Sequence, residues 1–204
     1  MIGKLRPQPF LLLLVFSVLG ASALAQPAAP SWQTDPNTGC KIAGPPALSV
    51  SWSGGCVAGL AQGTGTARWS GPNDRAEQYD GEMRAGRRNG RGVFIWISGS
   101  PYVGDRYEGD FVDNRFHGQG VYEWKSGNRY EGEWRNNDFN GQGVMRWANG
   151  DVYSGQWQND RAHGQGTKTS RDGRVYSGSW NNGCFRQGDR WSTAGATGKE
   201  CGFQ

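Results

Sequence analysis

The sequence predicts an all-β fold: an elongated, single-layer antiparallel meander of about six β-hairpin repeats. Three observations carry this. Tyr107, Tyr130, Tyr153 and Tyr176 recur every 23 residues. Within each copy, ring-bearing and small residues alternate with polar ones at a period of two, the strand signature. Turn formers such as Asn149-Gly150 stand where one copy meets the next. The composition agrees, because 34 Gly and only 35% hydrophobic residues leave no thick aliphatic core, whereas 10 Trp, 7 Tyr and 8 Phe supply large rings to bury.

From the N-terminus, Lys4 and Arg6 precede the apolar run Phe10 to Gly20, and Ala23 to Ala25 place small residues before Gln26. Residues 1–25 therefore read as a signal peptide, with an apolar run too short to span a membrane. No Cys stands at the cleavage point to signal a lipoprotein, so the expectation is an exported soluble chain, periplasmic or secreted. Loss of Lys4 and Arg6 leaves 20 of the 22 basic residues against 18 acidic ones. That balance excludes a nucleic-acid binder. Residues 26–51 read as a Pro-rich linker and N-terminal cap. Within them Gln26 to Gly39, holding Pro27, Pro30 and Pro36, is expected to be poorly ordered.

Residues 52–191 carry the repeat. Tyr79 joins the series, with five residues inserted around Ile97 to Val103. Two residues after each Tyr comes Gly (Gly81, Gly109, Gly132, Gly155, Gly178), and two further on Met83, Phe111, Trp134, Trp157 or Trp180. Six turn-like residues then lead to G-x-G, and four residues beyond it stand Trp96, Trp124 and Trp147, with Ser170 in the fifth copy. A worn first copy keeps these offsets in Trp52, Gly54, Cys56, Gly63, Gly65 and Trp69. Period two sends Tyr130, Gly132 and Trp134 to one face and Glu131 and Glu133 to the other. Strands are expected near 79–84, 91–97, 107–112, 119–125, 130–135, 142–148, 153–158 and 176–181. A Gly on the ring side leaves a gap in which a neighbouring strand's ring lies flat over the backbone.

The stretches "YEGDFVDNRFHGQGVYEW" and "YEGEWRNNDFNGQGVMRW" resemble MORN repeats, the membrane occupation and recognition nexus family, with its Y-x-G-x-[WF], G-x-G and later aromatic residue. The resemblance runs from Trp52 to about Trp191. It implies an extended, twisted β-meander serving as spacer, dimerisation surface or protein-binding platform, with lipid binding proposed for some members. It implies no enzyme and no cofactor.

Cys40, Cys56, Cys184 and Cys201 form two pairs, 16 and 17 residues apart, at opposite ends of the array. Terminal repeats expose an uncovered face. Cys56 stands where an ordinary copy has Trp134, and Cys184 follows Trp180 in a truncated last copy. Two local disulfides, Cys40–Cys56 and Cys184–Cys201, are expected to clamp the tails, including residues 192–204, over the ends.

No catalytic or metal site is expected. His117 and His163 precede the G-x-G where Asn89 and Asn140 stand elsewhere, which suggests left-handed turn residues. Asp80, Glu82, Glu108, Asp110, Glu131 and Glu133 form a ladder on the outer face, opposite Arg84, Lys125, Arg129, Arg135 and Arg146, and read as solvated, partly paired charge. Arg84, Arg87, Arg88 and Arg91 crowd one hairpin turn and are candidates for anionic lipid. Trp96, Trp124 and Trp147 are candidates for stacking on cell-wall glycan. The leading expectation is a non-catalytic exported scaffold with a protein partner. The sequence does not identify that partner, nor does it set the oligomeric state.

Overall fold

The alternation runs through the array as strands. A computed structural model describes residues 31–46 and 48–203; the signal peptide expected at 1–25 and the linker's first residues lie outside them. Among the described residues the strands are, in chain order, β1 (Ser31–Thr34), β2 (Lys41–Gly44), β3 (Ser49–Trp52), β4 (Gly55–Val57), β5 (Leu60–Ser70), β6 (Ala76–Arg84), β7 (Arg87–Ser98) and β8 (Arg106–Val112). There follow β9 (Arg115–Glu123), β10 (Arg129–Arg135), β11 (Asp138–Arg146), β12 (Val152–Gln158), β13 (Arg161–Thr169), β14 (Val175–Trp180), β15 (Cys184–Gln187) and β16 (Arg190–Thr193), with no helix among the described residues.

From β5 to β14 each strand pairs antiparallel with the next. At the N-terminal end β3 and β4 oppose β5 as one interrupted strand, and β2 joins β5 through a single parallel register, Lys41 opposite Leu60. β15 and β16 pair only with each other.

The turn inside each copy has two residues where six were expected. Asp113–Asn114, Asn136–Asn137 and Asn159–Asp160 all have positive φ, from 47° to 79°. This is the type I′ geometry whose twist matches the strands it joins, and Asn and Asp tolerate it. β7, β9 and β11 consequently begin four residues before the expected 91, 119 and 142. β13 fills a span for which no strand was expected. Asn149-Gly150 differs in the other direction: only Gly150 is left-handed there, and its N–H donates to the Trp147 carbonyl at 2.9 Å, closing a longer link.

Four of the copies also contain a bulge. Gly132 faces Gly143 while Trp134 faces Phe139, so Glu133 alone spans three residues of β11. Gly141 takes φ 67° in that bulge, where a β-carbon would lie 2.4 Å from the Glu133 carboxylate. The same irregularity recurs in the β6–β7, β8–β9 and β12–β13 pairs. His117 and His163 adjoin it but are strand residues without positive φ, which corrects their expected turn role.

The ends are capped. Cys40 bonds to Cys56 and Cys184 to Cys201, with Cα atoms 5.8 and 5.6 Å apart. Ser31–Thr34 forms an ordered strand against β2, contrary to the disorder expected up to Gly39. Its order has a local cause: the buried Asp35 carboxylate accepts from the Asn37 and Trp52 N–H groups at 2.9 and 3.0 Å and from the Thr38 hydroxyl at 2.8 Å. These bonds hold the carboxyl below its ordinary pKa despite the cost of burial. The bond from Trp52 also ties the turn holding Pro36 to the first repeat.

Candidate functional site

The two faces of the sheet have different chemistry, and the ring face is occupied by the protein itself. The Tyr130 ring runs along its own strand over Gly132 and across to Gly143, where a β-carbon would meet its hydroxyl oxygen at 2.3 Å. The hydroxyl donates to the Glu133 carbonyl in the bulge at 3.0 Å. Tyr79, Tyr107 and Tyr153 repeat this bond at 2.9 to 3.0 Å. Burial raises the phenol pKa in all four, keeping the donors protonated; Tyr153 reaches about 12. In the worn first copy Trp52 takes the tyrosine's place, donating its indole N–H to the Gly55 carbonyl at 2.8 Å.

Rings also join one copy to the next. Trp134, Trp157 and Trp180 donate from Nε1 to the carbonyls of Gly120, Gly143 and Gly166 at 3.1 to 3.2 Å. Phe116 and Phe139 stack on Tyr107 and Tyr130 at 3.8 Å. Sequence reasoning placed Phe116 and Phe139 in turns and missed their role. The signal was available, because Arg88, Phe116, Phe139, Ala162 and Phe185 each stand two residues beyond a two-residue turn. Along the hairpin turns, Asn114, Asn137 and Asp160 accept from the N–H groups of Arg88, Phe116 and Phe139 at 2.8 to 2.9 Å.

Trp96, Trp124 and Trp147 are half-buried against this ladder. Trp96 packs on Phe94 with centroids 4.6 Å apart, and Trp124 on Tyr122 at 4.5 Å. The Lys168 ammonium lies 5.1 Å from the Trp147 ring.

The arginine-rich turn does not gather into one patch. Arg84 donates to the Asn89 amide oxygen at 2.8 Å and Arg87 lies over Trp32 at 5.6 Å. Exposed Arg91 reaches Asp110 at 4.0 Å. Arg88 turns inward over Phe94 at 4.5 Å and donates to Asn114, and its desolvation lowers the guanidinium pKa to about 10.

On the outer face Arg106, Glu108, Glu123, Arg129 and Glu131 form a chain of ion pairs. The Arg106 guanidinium beside Glu108 lowers that carboxyl's pKa. Of the basic residues expected opposite the ladder, Arg129 takes part in this chain. Glu133 and Asp110 instead accept from the bulge N–H groups of Gln142 and Gln119 at 2.8 and 3.0 Å. Among the described residues no three His, Cys, Asp or Glu side chains converge as a metal site.

At the C-terminal end the ring pattern breaks. Lys168 stands where earlier copies have Tyr122 and Met145, and Ser170 where they have Trp124 and Trp147. The space left open is a cleft of about 440 Å³ between β13–β14 and β16.

The model of the MORN repeat matches residues 79–100, 107–129, 130–152 and 153–173. No curated protein matches the chain. The four matched segments correspond to the hairpins that share the Tyr-over-Gly packing and the bulge, and they establish what this part of the sheet is: residues 79–173 carry four MORN repeats.

Proposed function

We propose that the chain is a non-catalytic, exported scaffold that contacts a protein partner through its outer face. MORN repeats are non-enzymatic modules, often engaged in protein or membrane interactions. One observation carries the choice between those uses: the repeat's tyrosine rings are consumed by the sheet, Tyr79, Tyr107, Tyr130 and Tyr153 having no exposed surface, and Trp96, Trp124 and Trp147 pack half-buried against the same ladder. What faces outward is a row of positioned polar groups, among them the Arg106–Glu131 ion-pair chain. Fixed, alternating charge selects partners by complementarity rather than by bulk hydrophobicity.

Two disulfides support an oxidising compartment and hence export. The same closed ends favour contact through a face. Glycan binding by Trp96, Trp124 and Trp147 is weakened as a reading by their packing into the ladder, and lipid binding by the Arg84–Arg91 turn by the inward course of Arg88. The test is affinity capture of the mature protein's partners from envelope extract, run beside sedimentation with purified cell wall. A partner retained by Trp147→Ala but lost by Glu131→Lys supports the proposal. Sedimentation with cell wall that Trp147→Ala abolishes would refute it.

A further inference from the structure

We propose that the free edge of β14 receives an extended, glycine-bearing segment of a partner protein as one more strand of the sheet. This contact is separate from the outer face, because backbone groups rather than charged side chains make it.

A row of glycines crosses the array. Gly65 faces Gly81, Gly81 faces Gly92, and the row continues strand by strand through Gly132 and Gly143 to Gly166, which faces Gly178. Gly178 faces no further strand, since β14 ends the order of the long sheet. The cause lies in the residues that follow. Asp189 stands where earlier copies have Gly143 and Gly166, and Gln187 where they have Gly141 and Gly164. A residue with a β-carbon does not fit opposite a glycine beneath a tyrosine ring, as the 2.3 Å approach at Gly143 shows. The last hairpin therefore does not close along β14, and β15 pairs with β16 instead.

The line left open is bounded at both ends. The Ser170 N–H donates to the Arg174 carbonyl at 2.9 Å, and from that bonded pair the antiparallel alternation turns the N–H and C=O groups of Val175, Ser177 and Ser179 away from β13. Asn181, next on this side, exchanges both backbone bonds with Cys184 at 2.9 Å, and Arg190 donates to the Val175 carbonyl. Between these limits the backbone groups of Ser177 and Ser179 have no hydrogen-bond partner among the described residues. Sheet edges are ordinarily blunted by charge, proline or a bulge. Val175–Trp180 carries no charged residue and no proline, and its register with β13 is unbroken.

The two sides of the line set the chemistry of the occupant. On the ring side Phe185 packs against Trp180 and Tyr176 at 5.2 and 5.9 Å and lies over Gly178, where a β-carbon would be 3.4 Å from it, so the residue facing Gly178 must be small. On the outer side Ser177 and Ser179 are exposed and offer a charged neighbour no counter-ion. A strand of Gly-x-Gly type meets both demands, with backbone bonds giving affinity and alternate side chains giving selectivity. A second copy of this chain fits less well. With Gly178 facing Gly178 of the copy, Val175 falls opposite the copy's Asn181, a place that Cys184 already takes.

A synthetic peptide with the sequence of Gly141–Trp147, a segment that completes an internal hairpin, is the probe. Titrated into the oxidised full chain and followed by nuclear magnetic resonance, it should bind saturably and slow amide exchange at Ser177 and Ser179 but not along β8–β10. Gly143→Val in the peptide should weaken binding by about ten-fold or more. In the chain, Ser177→Pro removes an N–H from the free edge without touching the β13 ladder and should abolish the protection, whereas Glu131→Lys, which tests the outer face, should leave it unchanged. Failure to saturate, protection elsewhere, or equal binding of the valine peptide would overturn the assignment. A peptide-free chain that sediments as a dimer with Ser177 and Ser179 already protected would overturn it in favour of a second copy. The two peptides are compared on the unmutated chain, so that result stands even where Ser177→Pro is destabilised.

Discussion

Gly143→Ala adds one methyl group at the contact on which every repeat depends. The new carbon would sit 2.3 Å from Oη, 2.6 Å from Cζ and 2.7 Å from Cε2 of Tyr130, whereas carbon contacts are comfortable near about 3.5–4 Å. The ring would have to rise by about 1 Å. Phe139 stacks against it at 3.8 Å, and Trp134 and Trp157 meet it edgewise at 5.2 and 5.6 Å, so no free direction remains. Overpacking costs about 1–3 kcal/mol and loss of the Oη bond to Glu133 about 1 kcal/mol more. Removing a strand glycine returns about 0.5–1 kcal/mol through the unfolded chain.

The net cost is roughly 1–3.5 kcal/mol, which lowers Tm by about 2–14 °C for a chain of this size. Thermal and urea unfolding of the purified chain, followed by near-ultraviolet circular dichroism, reads it. Tyr130→Phe removes the closest clashing atom, so the double variant should lose less than the two single losses combined. A loss below about 0.5 kcal/mol for Gly143→Ala, or strict additivity with Tyr130→Phe, would show that the ring does not lie locked over the glycine pair.

Trp134→Ala, which empties a buried indole site and removes the bond to Gly120, should cost about 3–5 kcal/mol, and half-buried Trp147→Ala distinctly less; equal losses in urea titration would contradict the burial difference. Burial first, then the nearby Asp138, raises the Asp160 carboxyl pKa from 3.8 to about 6. The folded state thus resists its ionisation, and stability should fall as pH rises from about 4 through about 6, by at most about 3 kcal/mol. Asp160→Asn keeps an acceptor for the Phe139 N–H, as Asn137 does for Phe116, and should be more stable than the unaltered chain at pH 7 but not at pH 4; the opposite trend would refute the assignment. Cys184→Ser should cost about 3 kcal/mol and loosen β15–β16 first, seen as faster amide exchange at Arg190–Thr193 than in β10–β11; uniform loosening along the array would count against a local cap.

Much of the architecture was legible because the same constraint is imposed repeatedly. A ring can lie over the backbone only where two facing residues lack a β-carbon, so Tyr130, Gly132 and Gly143 must recur together and at one spacing. The turn was misjudged for a physical reason. The run Asn136 to Asn140 is rich in turn formers, but type I′ geometry uses only Asn136 and Asn137. Asp138 and Phe139 already pair with Arg135 and Trp134, and the bulge that follows them conceals the strand alternation of Phe139. The histidines were misassigned alongside them, since the left-handed residue at the bulge is the following glycine. β1 was unreadable from its prolines because its order rests on Asp35 reaching Trp52, 17 residues away, and no local pattern encodes such a contact.

Where a chain repeats itself, its departures from its own period are informative because each gives up a known stabilising contact. Arg88 gives up the ring stack made by Phe116 and Phe139, but the loss is offset by Phe94 and Asn114, so that departure closes on itself. Cys56 gives up a tryptophan and gains a covalent bond to the cap. Lys168 gives up a core side chain and recovers Asp151, the Thr193 carbonyl and the face of Trp147. Ser170 is different: it gives up the ring made by Trp124 and Trp147 and lines instead an opening of about 440 Å³ between β13–β14 and β16, so its departure leaves space rather than a replacement contact.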